Sequence, residues 1–136
     1  MNVIVDTNLW ISFLIGKKLL SLKSLFSNPK ITIYVCDNLL DEFKDVSSRP
    51  KIRKYISESD VQDTYKLIDM YCRHIPIRKK AVSLVRDAND LFLLSFAETI
   101  PADFIITGDK DLLSLGFHRQ TKIVTYREFE TIIELL

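Results

Sequence analysis

The stretch Asn2-Val3-Ile4-Val5-Asp6-Thr7-Asn8 limits what this chain can fold into more than any other. Val3 to Val5 are three β-branched apolar residues in a row. Such a run suits a short strand buried on both faces, as in a parallel sheet covered by helices. It stops abruptly at Asp6. Thr7 and Asn8 can both cap a helix, and Leu9-Trp10-Ile11-Ser12-Phe13-Leu14 follows as a helical apolar block. A carboxylate therefore stands where a buried strand hands over to a helix. In open α/β sheets that handover, at the carboxyl ends of the strands, is where ligands bind. A plain helix N-cap is the competing account of Asp6. What favours a site is recurrence, because acids at strand ends or in first helical turns return along the chain.

Helical spacing of Leu19-Leu20, Leu22 and Leu25-Phe26 runs to a stop at Asn28-Pro29. Ile31 to Val35 reads as a second strand, and a helix starts at Asp37 or Asn38 and continues through Val46. Glu42 lies about one turn into it, beside core-type Leu39 and Phe43; spacing alone favours a solvated acid slightly. Arg49 to Tyr55 is a basic turn and short helix. Ser57 with Asp60 carries a cap signature for a helix whose stripe is Val61, Tyr65, Ile68 and Tyr71-Cys72. Arg73 to Ile77 reads as a third strand, which Pro76 assigns to a sheet edge or a strand end. Arg78-Lys79-Lys80 up to Val85 reads as a loop. The next helix, from Arg86-Asp87 through Ala97, is apolar nearly all round and should be buried, yet it opens with Asp87 and Asp90, three apart and on one face. A helix N-terminus welcomes one anion; it does not explain two. Asp103 to Thr107 is a fourth strand that ends in Gly108-Asp109-Lys110-Asp111. Lys122 to Val124 is a last strand, and Thr125 with Glu128 caps a final helix with Phe129, Ile132, Ile133 and Leu136 inward. Alternating strands and helices predict a three-layer α/β/α sandwich with a mostly parallel central sheet.

Within 136 residues this is one domain, 1–136, with room for a real core. No apolar run reaches the ~20 residues of a membrane span, and no signal peptide is visible, so a cytoplasmic protein with no membrane contact is expected. Cys36 and Cys72 lack metal-ligand spacing and are expected as buried free thiols. The net charge of +1 makes the chain no bulk polycation, so any nucleic-acid contact must come from local patches.

With parallel strands, Asp6, the Asp87/Asp90 pair and Asp109/Asp111 all fall at one sheet edge. Carboxylates about 4 Å apart repel by ~4 kcal/mol at an effective dielectric of 20. Such a cluster persists by holding protons or a hard cation. Oxygen ligands without His or Cys select Mg²⁺ or Mn²⁺ over zinc; His74 and His118 are not placed with the acids and read as surface or core. Mg²⁺ with open water positions is the usual apparatus of phosphoryl chemistry. There is no Walker loop, GxGxxG or GxSxG. A phospho-acceptor receiver domain would need an acceptor Asp ending a central strand, which Ile75-Pro76-Ile77-Arg78 does not offer.

The segments Ile4 to Asn8, Leu39 to Glu42, Arg86 to Leu93 and Ile106 to Leu112 resemble, in order and interval, the motifs of PIN-domain nucleases. The resemblance spans essentially the whole chain and is closest to the VapC-like toxin components of prokaryotic toxin–antitoxin systems, which the Arg49-Pro50-Lys51 turn and Thr125 to Phe129 also resemble. It implies a Mg²⁺- or Mn²⁺-dependent endoribonuclease that hydrolyses RNA phosphodiesters with metal-activated water. Asp6, Glu42, Asp90 and Asp109 match the family's catalytic acids, with Asp6, Asp90 and Asp109 on the metal. Thr7, Asn8, Asp87, Thr107 and Asp111 match supporting positions. Ala88, where relatives often have proline, Val85, where many have cysteine, and Asn89, a variable and often charged position, depart from the pattern without removing an acid. An antitoxin partner and a homodimer or higher oligomer are implied by the resemblance alone. Arg49, Lys51, Arg53, Lys54 and Arg86 are candidates for holding the RNA backbone, with Lys17-Lys18 and Arg78 to Lys80; Tyr55 and Trp10 could stack on bases, Trp10 being better suited to the core. The alternative reading is a catalytically silent PIN-like scaffold that binds RNA or protein.

Overall fold

The computed structural model describes residues 1–78 and 88–136. The chain runs β1 (Asn2–Val5), α1 (Thr7–Ile15), α2 (Leu19–Ser27), β2 (Thr32–Val35), α3 (Asp37–Ser47), α4 (Pro50–Arg53), α5 (Glu58–Tyr71) and β3 (Arg73–His74). It continues with α6 (Ala88–Thr99), β4 (Phe104–Ile106), α7 (Lys110–Leu115), β5 (Phe117–His118), β6 (Thr121–Val124) and α8 (Tyr126–Glu134). The strands form one sheet in the order β3-β2-β1-β4-β6-β5, parallel throughout except for the β5/β6 hairpin. This is an α/β architecture with helices flanking a mostly parallel sheet, as the strand–helix alternation predicts.

The strand order reverses at the centre. From β1 the chain moves outward through β2 to β3, then returns to lay β4 on the other side of β1. The carboxyl ends of β1 and β4 therefore diverge at a topological switch point, where open sheets form their ligand crevice. The ladder carries Asp6 to that edge: its N–H donates to the Ile106 carbonyl (2.9 Å), and the Thr107 N–H donates to the Val124 carbonyl (3.0 Å).

Val3, Ile4 and Val5 are fully buried, as a doubly covered strand requires. Trp10 lies in the core, edge-on to Phe26 and Phe43 (centroids 5.9 and 5.6 Å), so it locks α1 onto α2 and α3 and is withdrawn from any base-stacking role. Leu22, Leu25 and Phe26 are core, whereas Leu20 of the same stripe is exposed. Both cysteines are free; Cys36 is buried but Cys72 is half-buried, and burial still pushes the Cys72 thiol up to about 12.

Three sequence expectations change. The third strand stops at His74 rather than Ile77: Ile75 makes a last bond to the Val35 carbonyl (2.9 Å), and Pro76 has no N–H to continue the ladder. The β5 strand, antiparallel and two residues long, was not anticipated. Leu136 is exposed, because α8 ends at Glu134 before its stripe reaches that position. The helix carrying Asp90 is described over Ala88–Thr99; Arg86, Asp87 and the expected loop from Lys79 to Val85 lie outside the described residues.

Candidate functional site

Asp6 follows the last residue of β1 and caps α1, accepting a hydrogen bond on Oδ1 from the Asn8 N–H (3.1 Å). Its other oxygen, Oδ2, accepts from the Thr107 hydroxyl (2.7 Å). Burial pushes the Asp6 carboxyl above its ordinary 3.8; the Thr107 and Asn8 bonds pull it back down, and the nearby Asp109 carboxylate adds to the rise. The N-cap account of Asp6 is thus true, and it leaves unexplained why the cap is a buried acid facing another acid.

Thr107 connects the two strand ends. While donating to Asp6, its Oγ1 accepts from the Asp109 N–H (3.0 Å). Asp109 in turn caps α7, with Oδ1 accepting from the N–H groups of Asp111 (2.8 Å) and Leu112 (3.1 Å). Asp90, in the first turn of α6, is buried. One carboxylate oxygen each from Asp90, Asp109 and Asp111 fall within 4.8 Å of one another. Two of the three predicted ligands, Asp90 and Asp109, are therefore brought together. The third place in the close cluster goes to Asp111, expected only in support, while Asp6 stands beside Asp109, its oxygens turned to Thr107 and Asn8. The physical reason lies in α7: Asp109 caps it, and the turn that starts there swings Asp111 back toward Asp90.

The donor set suits a hard divalent cation. It is all carboxylate oxygen, with no His or Cys within it. The two histidines are spent elsewhere, His74 against Asp37 (2.7 Å) at the surface and His118 against Glu98 (2.8 Å) in the interior.

Glu42 is half-buried on α3 and faces an open cleft of about 470 Å³ shared with Asn8 and Phe92. The solvated position that spacing favoured is thus only half right, since this acid lines the cleft beside the site. Thr7 is buried and turns its hydroxyl to the Leu39 carbonyl (3.2 Å), tying α1 to α3 rather than entering the site.

The basic candidates divide. Arg53 is committed to structure, with Nε donating to the Ser47 carbonyl (2.7 Å) and the guanidinium paired with Glu58 (2.7 Å). Arg49 pairs with Asp45 at 2.8 Å along the cleft wall. Lys17 donates to the Tyr55 carbonyl (2.7 Å). Lys51 and Lys54 are exposed, as is Tyr55. Sequence reasoning missed Asn38, Asp41, Asp45 and Phe92 as cleft residues. The signal was present in the helical recurrence of polar residues 38, 41, 42 and 45, which reads equally well as a solvated face.

The model of the PIN domain family matches residues 2–111. The chain belongs to the PIN-domain family. This PIN domain is 31% identical over 119 residues to an uncharacterized protein, MJ1680, of Methanocaldococcus jannaschii, covering 85% of this chain and 75% of that protein. Its fold matches a chain in the crystal structure of VapBC2 from Rickettsia felis bound to a DNA fragment from their promoter, with a TM-score of 0.58 and 18% identity over 90% of this chain and 97% of that one. PIN domains are typically nucleases that use divalent metals. Among the described residues of this one, no helix is long and apolar enough to cross a membrane.

Proposed function

We propose that this PIN domain, taken as one unit from 1 to 136, is a Mg²⁺- or Mn²⁺-dependent endoribonuclease and the toxin of a toxin–antitoxin pair acting in the cytoplasm. The observation that carries the proposal is the meeting of Asp90, Asp109 and Asp111 at the switch point, with Asp6 joined to Asp109 through Thr107. When bound, a divalent cation supplies charge neutralisation at a phosphodiester and acidifies water. Asp90, Asp109 and Asp111 would hold it, with Asp6 the further carboxylate beside them. Thr107 fixes the Asp6 carboxylate, and the α7 cap fixes that of Asp109, so both are oriented before substrate arrives. Glu42, on the cleft wall, would orient the attacking water. No side chain forms a covalent bond to the substrate. The antitoxin partner is supported by the ordered motifs and by fold likeness to a VapBC2 chain; a homodimer or higher oligomer follows from the same subgroup.

The test is cleavage of single-stranded RNA in Mg²⁺ or Mn²⁺, with EDTA as control. Asp6→Asn should lose metal-dependent cleavage while its circular dichroism stays that of the wild type. Full activity in that variant overturns the assignment, and an inactive wild type that still binds RNA supports the silent-scaffold reading.

A further inference from the structure

Helices α2 and α8 stand apart, and an open groove runs between them over α1. Lys18 and Ser21 lie across from Tyr126 and Glu130 at one end, and Asn28 lies across from Glu134 at the other. The two helices therefore run in the same direction. Cavities of about 450 and 220 Å³ share Tyr126 and Glu130, which makes the groove continuous. Its lining comes from α1, α2, α8 and their caps, and none of it from α6, into which the undescribed 79–87 lead.

The two ends differ in charge. One is basic, at Lys18, and the other acidic, at Glu134, with Glu130 between them. Helix α2 carries no acid; its charges are Lys18 at the N-cap and Lys23 within. Among the described residues, Lys18, Lys23, Glu130 and Glu134 form no ion pair. Exposed leucines mark the same two ends. Leu20 is 79% exposed near Lys18, and Leu135 and Leu136 are 84% and 64% exposed just beyond Glu134. A single exposed leucine needs no explanation. Leucines at both ends of one groove, where the charges are opposite, fit one occupant laid along it in reverse.

We propose that α2 of a second copy of this chain lies in this groove, antiparallel to the first α2 across a two-fold axis; this rests on the oligomer reading above and gives it a surface. Helix α2 borders the groove that it fills in the other copy, so one two-fold covers both grooves at once, the isologous arrangement. Charge sets the direction. An antiparallel copy brings Lys18 against the other copy's Glu134, and Leu20 against its Leu135 and Leu136, and the two-fold repeats each pairing. A parallel copy would bring lysine against lysine. The face of α2 beside the groove is Leu20, Ser24 and Ser27, each about one turn from the next and all exposed, so a helix can approach closely over the serines. A basic helix of another protein would answer Glu130 and Glu134, but it would leave Lys18 without a counter-charge. A second copy answers all of them.

The test is the oligomeric state of the full chain, by sedimentation equilibrium across protein and NaCl concentrations. The wild type should be a dimer that weakens as salt screens the pairs at the groove ends. Lys18→Glu and Glu134→Lys should each raise the dimer Kd about 10- to 100-fold, since a reversal at an exposed pair acts twice across the two-fold. The two reversals together should recover most of the loss, which a merely structural role of either residue would not give. Leu20→Asp should leave a monomer. All three changes put charge where the helix dipole favours it, so circular dichroism should stay that of the wild type. A wild type that remains monomeric overturns the interface and the oligomer reading together, and leaves the groove to a different protein. A dimer that none of the variants weakens overturns the groove and keeps the oligomer. Reversals that weaken the dimer without recovery in combination overturn the antiparallel pairing.

Discussion

Thr107 is a small residue with two partners of consequence. Its hydroxyl donates to Asp6 and accepts from the Asp109 N–H, so one oxygen sets the relation between the ends of β1 and β4. Thr107→Val keeps the shape and removes both bonds. It should weaken Mg²⁺ binding or activity about 10- to 100-fold, the usual effect of losing a partner that orients a ligand. Thr107→Ser should restore most of it, which metal titration and cleavage rates would show. Far from the site, Glu98 bonds His118 and Arg119 (2.8 and 2.9 Å) with its side chain only 11% exposed. The His118 hydrogen bond, followed by the Arg119 charge, holds the Glu98 carboxyl below its ordinary 4.5 despite desolvation. The folded chain therefore binds that proton more weakly than the unfolded chain. The resulting stability is present above the ordinary value and drains as pH falls through the lowered one. Glu98→Gln should cost about 1–3 kcal/mol near neutral pH, and the gap to wild type should shrink in acid. Urea denaturation across that range reads it.

At the scale of elements, what could be read from sequence is what is local. Ser57 with Asp60 and Thr125 with Glu128 form complete capping boxes at α5 and α8, as their spacing says. Ser57→Ala and Thr125→Ala should each cost about 1 kcal/mol, and the double variant should lose the sum, since the two caps sit on separate helices. Denaturant midpoints check this. The β5 strand escaped notice because two residues show no periodicity, and Phe117 and His118 pair only with Lys122 and Thr121 across a turn in which Arg119 takes a left-handed φ of 54°. The end of β3 was legible in outline, since Pro76 marks an edge, but the residue at which the ladder fails depends on the β2 partner. Helix α3 shows the same limit. Its polar stripe was visible, while its role as a cleft wall needed α1 and α6 opposite.

At the scale of the molecule, the sheet brings residues about a hundred positions apart into hydrogen-bond contact, Asp6 with Thr107. Holding several carboxylates near one another without a counter-ion costs stability, so a cation that binds the folded chain should raise it. Mg²⁺ at about 100 times its Kd should add ~2.7 kcal/mol, seen as a higher Tm. The shift should vanish in Asp90→Asn or Asp109→Asn. A chain whose thermal stability ignores Mg²⁺ and Mn²⁺ would count against a cation at this site.

The sequence alone determined most of the elements and the acids at their ends. The β-branched run before Asp6, the glycine and acids after Ile106 and the caps of α5 and α8 are signals that span a few residues, and short-range sterics and hydrogen bonding suffice to set them. Tertiary structure alone decided which acids share a space. The reversal of strand order at β1 and β4 set Asp6 beside Thr107, and the α7 turn moved Asp111 into the cluster with Asp90 and Asp109. Those distances follow from the packing of a whole sheet, which no local pattern encodes.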